Sequence, residues 1–492
     1  MANDWTNLLY YGDNLEILRE YVSDNSVALI YLDPPFNSKA NYNVLFPERS
    51  GEKSRAQITA FEDTWHWGLE AEQEYHELVE QGPHNVARFM GAMRKFLGTN
   101  DMMAYLCMMG IRLVELQRVL KPSGTLYLHC DPTASHYIKL LMDAVFGAKY
   151  FRNEIVWCYR GGGRPKQDFA RKHDIILRYS KNEDVFFNPD PIRIPYQAEG
   201  KGRTDDSMWG RHGSDKVYRP HPKGKVPEDW WPINPLNAND PNRLGYPTQK
   251  PEELLERIIL SSSRKGETVL DPFCGCGTAV AVAERYDRHW IGIDITHIAT
   301  NLIKYRLADT FGDELTPYEI IGEPRDIRGA RTLAEQDRFQ FEYWALGLVE
   351  ARPSKSEQTR GADAGIDGVL HFFDDTSNEP KEIILQVKSG QNIAVGDLRD
   401  LVGTVENEGA VMGAYLTLYP PKRGMSEYAA SQGFYYSEIL DIKYPKIQIL
   451  TIKGLLDGTE RLKYPRIRNA TFWEGKRSIK DQGEQGNVFE SS

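Results

Sequence analysis

The feature that most constrains the fold of this chain is a short apolar run that ends in a rigid turn. Residues 27–32 read Val-Ala-Leu-Ile-Tyr-Leu and are followed at once by Asp33-Pro34-Pro35-Phe36. An apolar run of this length, bounded by Asn-Ser and Pro-Pro, predicts a buried strand. A carboxylate, two prolines and an aromatic ring therefore lie at the carboxyl end of a strand, where open α/β sheets bind their ligands.

This turn carries the groups needed to make an exocyclic aromatic amine nucleophilic. The lone pair of such an amine is delocalised into its ring unless acceptors hold both N–H groups. Asp33 can supply one acceptor and the Pro34 carbonyl another. Pro35 keeps the turn stiff because its φ is fixed, and Phe36 can stack on a flat ring. The alternative is an ordinary proline-rich surface turn after a strand. A second motif is needed to distinguish a catalytic turn from a surface turn.

The second motif is a strand that runs into a glycine loop. Residues 267–278 read Glu-Thr-Val-Leu-Asp-Pro-Phe-Cys-Gly-Cys-Gly-Thr and lead into an alanine-rich helix. Gly275 and Gly277 let the backbone approach a ligand, and the helix start offers free N–H groups. Asp294 ends the next predicted strand, where it could bind ribose hydroxyls. A dinucleotide-binding oxidoreductase would require G-x-G-x-x-G, and Val280 at the third position after Gly277 disfavours it.

Together the two motifs resemble those of the DNA amino-methyltransferases, namely D-P-P-[FYW] and D-x-F-x-G-x-G. An Asp at the head of the first motif is typical of adenine-N6 enzymes, whereas cytosine-N4 enzymes usually carry Ser there. The resemblance therefore implies methylation of adenine in double-stranded DNA with S-adenosylmethionine as cofactor. The target base would be flipped out of the duplex, with Phe36 as its stacking partner. An RNA or protein amine methyltransferase is a more distant alternative.

The same resemblance implies roles for particular residues. The catalytic residues would be Asp33, Pro34, Pro35 and Phe36. The cofactor would be bound by Asp13, Thr248, Lys250, Asp271, Phe273, Gly275, Gly277, Thr278 and Asp294.

The order of the motifs predicts a circularly permuted α/β fold. The catalytic turn precedes the cofactor loop, which is the arrangement of the β class. Segments 124–131, 153–157, 173–174 and 230–231 resemble type III Mod-like adenine methylases. The implied domain is a Rossmann-like, doubly wound methyltransferase over residues 1–321. Residues 38–100 are expected to be largely irregular.

Residues 152–245 are expected to recognise the DNA target. Between 152 and 225 the chain has sixteen Lys or Arg and ten Asp or Glu, a net charge of +6 in a chain whose net charge is −10. A local positive surface is enough to contact phosphates. An ordinary solvated loop region with a mild excess of basic residues is the alternative.

The C-terminal part predicts a β-hairpin with polar groups at one end. Two apolar runs flank a turn-rich septet, which centres the hairpin near Ser377. With that centre Asp367 pairs at about position 387, beside Gln386 and Lys388. These groups suit a Mg²⁺ ion held by Asp367 and the carbonyl oxygens of Gln386 and residue 387. Lys388 would then orient a water against a phosphodiester.

Asp with Gln-x-Lys resembles the core of Mrr-like restriction endonucleases, a small α/β domain of the PD-(D/E)xK type. Glu342 occupies the place of the helix glutamate of that family. The expected organisation is a linker at 322–336, a nuclease domain at 337–465 and a polar tail at 466–492. The leading interpretation is a modification enzyme and a restriction enzyme in one chain. In the alternative, the last domain is an inactive DNA-binding clamp.

Composition excludes several classes of protein. No window approaches the ~18 apolar residues of a membrane span, and the start of the sequence lacks a basic region followed by an apolar one, so we expect a cytoplasmic protein with no membrane partner. Five cysteines without a CxxC pair disfavour a disulfide framework or structural zinc. No G-x-x-x-x-G-K-[ST] occurs, so no ATPase is encoded in this chain. A homodimer is compatible with the sequence, which does not determine the oligomeric state.

Overall fold

The computed structural model describes residues 5–35, 41–47, 53–62, 65–161, 165–196, 221–237, 240, 242–244, 246, 248–354, 365–374, 380–466 and 468–469. Phe36, which was predicted to stack on the target base, lies outside the described residues.

The strands are β1 (Asn7–Tyr11), β2 (Val27–Leu32), β3 (Asn41–Pro47), β4 (Lys53–Glu62), β5 (Leu120–Cys130), β6 (Phe151–Cys158), β7 (His173–Ser180), β8 (Trp230–Pro232), β9 (Thr268–Asp271), β10 (His289–Asp294), β11 (Tyr318–Ile321), β12 (Arg352–Pro353), β13 (Gly368–Phe373), β14 (Lys381–Lys388), β15 (Met412–Thr417), β16 (Phe434–Ser437), β17 (Ile442–Pro445), β18 (Ile447–Thr451) and β19 (Arg468–Asn469). The α-helices are α1 (Asn14–Tyr21), α2 (Leu69–Glu80), α3 (His84–Leu97), α4 (Asp101–Val119), α5 (Ser135–Phe146), α6 (Glu252–Ser262), α7 (Thr278–Arg285), α8 (His297–Phe311), α9 (Ile327–Gln336), α10 (Arg338–Gly347), α11 (Val395–Asn407), α12 (Arg423–Ser431) and α13 (Ile452–Leu456).

The larger domain is built on a nine-stranded sheet in the order β11-β1-β10-β9-β2-β5-β7-β6-β8. The first six of these strands run parallel, and β7 is antiparallel to both β5 and β6. The chain leaves β9 towards β10 through α7 and leaves β2 towards β5 in the opposite direction. The adjacent strands β9 and β2 therefore form the topological switch point, where a crevice opens at the carboxyl ends. The predicted doubly wound, permuted α/β fold is confirmed.

Residues 38–100, which were expected to be largely irregular, contain the β3–β4 hairpin and helices α2 and α3. In α3, Val86 and Met90 are fully buried, and Phe89, Met93 and Leu97 pack against the same core. Apolar residues at this spacing are typical of one helix face. The expectation was wrong because the aromatic residues before α2 obscured that periodicity.

The predicted recognition region contributes three strands to the main sheet. Strands β6, β7 and β8 complete its edge, and Ile155, Trp157 and Ile176 are buried in its core. This part of residues 152–245 therefore has a structural role in addition to any contact with DNA.

The smaller domain has a second sheet in the order β12-β13-β14-β15-β18, with β19 beside β13. Strands β13 and β14 form the predicted antiparallel hairpin. Helix α9 occupies most of the expected linker, since Asp326 caps its first turn by accepting a hydrogen bond from the Gly329 N–H. Ala330 and Leu333 of α9 are buried in the core of the smaller domain, so residues 327–336 belong to that domain.

The two domains are in direct contact through α8 and α10. The Asn301 side chain donates a hydrogen bond of 2.9 Å to the Tyr343 carbonyl, and the His297 N–H donates one of 3.1 Å to Gln340. Tyr343 is buried in one apolar cluster with Tyr246 and Cys276 of the larger domain. The start of the smaller domain therefore packs beside the glycine loop. Within the described residues, no helix is long and apolar enough to cross a membrane.

The second domain offers a matched test of its core. Phe372 is fully buried, whereas Phe434 is 64% exposed. Phe372→Ala should destabilise this domain by about 3–5 kcal/mol because it removes a buried ring and leaves a cavity. Phe434→Ala should change its stability by less than about 0.5 kcal/mol. Hydrogen exchange of the β13 and β14 amides measures both, and equal effects would contradict the described core.

Candidate active site

A cavity of about 230 Å³ lies at the carboxyl ends of the central parallel strands. It is lined by every predicted methyltransferase residue that the structure describes except Gly277. These residues are Asp13, Asp33, Pro34, Pro35, Thr248, Lys250, Asp271, Phe273, Gly275, Thr278 and Asp294. Motifs that are more than two hundred residues apart in the sequence therefore meet around one cavity.

The Asp33 carboxylate lies just beyond the end of β2 and is largely buried. Its Oδ2 forms an ion pair with the Lys250 ammonium, and its Oδ1 lies 3.6 Å from His129 Nδ1. Among the described residues, Oδ1 is buried without a hydrogen-bond partner. Lys250 was predicted to contact the cofactor. It lines the cavity, but its ammonium pairs with the predicted catalytic carboxylate.

A buried polar chain continues behind Asp33. The His129 ring is fully buried, with Nδ1 3.2 Å from the Tyr31 hydroxyl and Nε2 3.2 Å from Asp174 Oδ2. The Tyr159 hydroxyl donates a 3.3 Å hydrogen bond to Asp174 Oδ1. Burial alone would raise the pKa of Asp174, but the hydrogen bond with His129 and the charges nearby outweigh it, and the pKa is lowered. Asp174 therefore stays ionised and fixes the His129 ring.

Sequence reasoning missed the functions of His129 and Asp174. Both lie in segments that resembled the methylases, but nothing in the sequence showed that the end of β5 and the start of β7 are adjacent. Antiparallel pairing of these strands, with Cys130 opposite Ile175, brings the two side chains together.

Asp13 is fixed at the first turn of α1. Its Oδ1 accepts a hydrogen bond of 2.7 Å from the Leu15 N–H, and its Oδ2 accepts one of 2.9 Å from the Arg112 guanidinium. Arg112 is buried and also donates to Asn14 Oδ1 at 2.7 Å, while the Asn14 amide donates to the Pro272 carbonyl at 2.8 Å. Arg112 thus joins α1 to the glycine loop, a role that the Met- and Leu-rich sequence of α4 did not indicate.

The glycine loop needs its glycines for conformation and for space. Gly277 has φ +72°, and a Cβ atom there would lie 2.7 Å from Ile303 Cγ1. Gly275 has φ +50°, and a Cβ atom there would lie 3.1 Å from the Tyr246 ring. Other residues rarely adopt such φ values. Thr278 begins α7, and its hydroxyl accepts a 3.0 Å hydrogen bond from Arg306.

Two further carboxylates lie at the ends of β9 and β10. Asp294 Oδ2 accepts a 2.9 Å hydrogen bond from the Gly275 N–H, and Oδ1 accepts from the N–H and hydroxyl of Thr296, each at 2.9 Å. Burial raises the pKa of Asp294 to about 6. Burial also raises the pKa of Asp271 well above its usual range, and the Asp33 charge adds to this effect. The cavity therefore concentrates acidic groups whose charge a cationic ligand would stabilise.

The second predicted site lies at one end of the β13–β14 hairpin. Gly368 pairs with Leu385, which puts Asp367 opposite Gln386, and Lys388 lies two residues further along β14 on the same face. Asp367 Oδ2 accepts a 2.7 Å hydrogen bond from the Val387 N–H. The hairpin thus brings Asp367, Gln386 and Lys388 to one end. The pairing differs by one residue from the predicted position of about 387, and the predicted centre near Ser377 lies outside the described residues.

Glu342 is buried on α10, where it accepts a 3.2 Å hydrogen bond from Arg338. No group of three His, Cys, Asp or Glu side chains that could hold a metal ion occurs in the part of the chain described. A Mg²⁺ ion at the hairpin would therefore need amide or backbone carbonyl oxygens in addition to Asp367.

The doubly wound sheet, with an acidic cavity at its switch point, defines a Rossmann-like methyltransferase class. A model of the DNA methylase family matches residues 27–304, more than half of the chain, and the protein belongs to that family. A restriction endonuclease family model matches residues 333–438. The predictions of a DNA methyltransferase and of a fused Mrr-like restriction endonuclease domain are confirmed, as is use of S-adenosylmethionine at the level of the family.

Three relatives match between 37% and 59% of the chain. The Type II methyltransferase M.HpaI of Haemophilus parainfluenzae is 33% identical over 237 residues, which are 48% of this chain and 68% of that protein. The Type II methyltransferase M.BglII of Bacillus subtilis is 27% identical over 296 residues, 59% of this chain and 65% of that protein. The DNA adenine methyltransferase YhdJ of Escherichia coli (strain K12) is 33% identical over 185 residues, 37% of this chain and 60% of that protein. The chain thus spans roughly two thirds of the length of these relatives.

The raised pKa of Asp294 predicts pH-dependent cofactor binding. In the predicted role of Asp294, the ionised carboxylate would accept hydrogen bonds from ribose hydroxyls in addition to that from the Gly275 N–H, and protonation would remove acceptor capacity. Affinity for S-adenosylmethionine, measured by calorimetry, should therefore fall as the pH drops below about 6, by up to about tenfold per pH unit. Asp294→Asn should bind more weakly and lose this dependence. An identical profile in the variant would contradict the assignment.

The raised pKa of Asp294 also makes the stability of the folded protein depend on pH. The folded protein binds the Asp294 proton more tightly than the unfolded chain, because burial raises the pKa from 3.8 to about 6. The contribution of this group to stability is therefore fully present below pH 3.8 and is lost as the pH rises through about 6.

Proposed function

We propose that this chain transfers a methyl group from S-adenosylmethionine to the N6 amine of adenine in double-stranded DNA. The observation that carries the proposal is the buried Asp33 Oδ1, which has no hydrogen-bond partner among the described residues and belongs to a residue that lines the cavity. A buried acceptor without a donor is costly. A substrate N–H group would satisfy it.

The residues around the cavity fit the cofactor. S-adenosylmethionine supplies a methyl group attached to a positively charged sulfur. Asp13, Asp33, Asp271 and Asp294 line the cavity. Arg112 pairs with Asp13 and Lys250 pairs with Asp33, so Asp271 and Asp294 are the carboxyl groups that would complement the charge of that sulfur. Asp294 would bind the ribose hydroxyls, and the backbone N–H groups at the start of α7 would bind the carboxylate of the methionine part.

Asp33 and the Pro34 carbonyl would hold the two N–H groups of the target amine. This withdraws the nitrogen lone pair from the ring and directs it at the methyl group. As the N–C bond forms and the C–S bond breaks, the amine becomes positively charged and must release one proton. Asp33 can accept that proton. Lys250 balances the negative charge of Asp33 before transfer, and His129, held by Asp174, lies next to the oxygen that receives the proton.

Asp33→Ala should lower the rate of methyl transfer by a few powers of ten, comparable with losing a transition-state hydrogen bond of roughly 3–4 kcal/mol. Affinity for S-adenosylmethionine should stay within a few fold. The measurement is incorporation of labelled methyl groups into duplex DNA, with the modified nucleoside identified by mass spectrometry.

Asp24 provides a matched control. Asp24 lies before the start of β2, whereas Asp33 lies directly after its end. The Asp24 carboxylate pairs with Arg118 at the amino end of the strand, away from the cavity. Asp24→Ala should retain the wild-type rate. A wild-type rate in Asp33→Ala would disprove the catalytic role. Modification of cytosine, RNA or protein in place of adenine in duplex DNA would disprove the substrate assignment.

A second activity is suggested by the restriction endonuclease domain. We propose that its hairpin end binds Mg²⁺ and cuts DNA. Asp367 opposite Gln386 carries this proposal, because a carboxylate oxygen and amide oxygens are ligands that Mg²⁺ accepts. Lys388, on the same face, would orient the attacking water. Glu342 on α10 would complete the set of catalytic residues.

Asp367→Ala and Lys388→Ala should each abolish Mg²⁺-dependent cleavage and leave methylation unchanged. Lys381 lies at the other end of β14, so the Lys381→Ala variant should cleave DNA at the wild-type rate. The assay offers unmethylated, hemimethylated and fully methylated duplexes without ATP. If the wild-type protein cuts none of them at any Mg²⁺ concentration, the domain is a DNA-binding clamp. In that case Lys388→Ala should weaken DNA binding instead.

A further inference from the structure

The connection between β6 and β7, of which the structure describes residues 159–161 and 165–172, begins and ends at the same edge of the sheet as Asp33. Strand β5 is parallel to β2, with Leu128 opposite Leu32. Strand β7 is antiparallel to β5, so its first residues lie beside the last residues of β5. The end of β6 and the start of β7 are therefore on the catalytic edge, and this connection, which we call the edge loop, begins and ends there.

Both ends of the edge loop are anchored to the catalytic network. Tyr159 at its start donates a hydrogen bond of 3.3 Å to Asp174, which follows its end. Asp174 in turn lies 3.2 Å from His129 Nε2. The position of the edge loop is thus tied to the residues that surround Asp33, which is where a DNA substrate has to approach.

The edge loop presents an aromatic side chain to solvent. Phe169 is 98% exposed, and no other large hydrophobic side chain in the described ranges is more exposed than Leu69, at 76%. A single exposed apolar residue is common on protein surfaces. On the catalytic edge, however, a fully exposed ring contributes little to the stability of the folded chain and is free to contact a bound substrate.

The charged residues near Phe169 indicate the kind of substrate that this loop contacts. Arg160, Lys166, Arg171 and Lys172 are the basic residues among the described positions 159–161 and 165–172, where the one acidic residue is Asp168. A net positive loop matches a phosphate backbone. An aromatic ring between phosphate-binding side chains matches the base stack beneath that backbone.

We propose that Phe169 enters the duplex at the position vacated by the flipped adenine, while Lys166, Arg171 and Lys172 contact the flanking phosphates. This inference rests on the proposed adenine methylation. Flipping a base out of the duplex breaks its pairing and stacking. A ring that stacks on the neighbouring bases restores part of the lost stacking.

Phe169→Ala tests this role without disturbing the core, since the side chain makes almost no contact with the folded chain. Two substrates are compared that differ only at the target: one has adenine paired with thymine, and the other has the same adenine opposite an abasic site. The recognised sequence is first mapped in the DNA of cells that express the wild-type chain.

On the paired substrate, Phe169→Ala should lower the methylation rate by about tenfold to a hundredfold, the loss expected for one stacked base. On the abasic substrate it should stay within about threefold of wild type, because the adenine is already unpaired. Phe169→Trp should retain activity on both. Fluorescence of 2-aminopurine at the target position should rise on binding of the wild-type protein and much less on binding of Phe169→Ala.

Tyr21 is the matched control. It is 56% exposed and ends α1, which begins at the catalytic edge with Asn14, so it lies towards the opposite edge. Tyr21→Ala should methylate both substrates like wild type. The basic residues are tested separately: replacing Lys166 and Lys172 by Ala should weaken binding of both substrates alike and reduce the salt slope by about 0.9 per lost phosphate contact.

Three outcomes are distinguishable. If Phe169→Ala methylates the paired substrate at the wild-type rate, the inference is overturned. If it loses the same factor on both substrates, Phe169 is a general contact and does not replace the flipped base, which also overturns it. If wild type methylates adenine in neither substrate, the proposed function itself has failed.

Discussion

The buried ion pair between Asp33 and Lys250 is the interaction on which the site depends. Removing two charges from water costs several kcal/mol per ion, and only close pairing offsets that cost. Asp33 also lies near Asp271 and Asp294, whose pKa values are raised mainly by burial. Without the Lys250 ammonium, the cavity would concentrate uncompensated negative charge. The Lys250 ammonium offsets part of that charge by pairing with Asp33 Oδ2, and a cationic cofactor would offset more of it.

The sheet topology explains why these groups meet. Strands β2 and β9 are neighbours, with Ile30 opposite Leu270, so the catalytic turn and the glycine loop emerge side by side. Arg112 then links α4 to α1, and Asn14 links α1 to the glycine loop at Pro272. The permuted order of the motifs along the chain does not alter this geometry. The site is positioned by strands that are adjacent in the sheet, and these strands need not be adjacent in the sequence.

The contact between the two domains is close to the cofactor loop. Helix α8 follows Asp294 and packs against α10, which carries both Glu342 and Tyr343. Tyr343 shares a buried cluster with Tyr246, whose ring lies against Gly275. Residues that are expected to hold the cofactor therefore lie close to α10 of the smaller domain, with Tyr246 and Tyr343 packed between them. The two domains are packed together and are not joined by a free linker.

Strand periodicity and turn chemistry are local properties, so the sequence alone predicted the strands and turns that carry Asp33, the glycine loop and Asp294. The permuted, doubly wound fold and the other predicted residues of the cavity followed from the resemblance of these motifs to a known family. The sequence also predicted that Asp367 would lie beside Gln386, since the centre of a hairpin sets its register. It did not reveal that Lys250 pairs with Asp33, that His129 and Asp174 support that carboxylate, or that Arg112 organises α1. Those contacts join residues from separate strands and helices, and only the packing of the complete sheet brings such side chains within hydrogen-bonding distance.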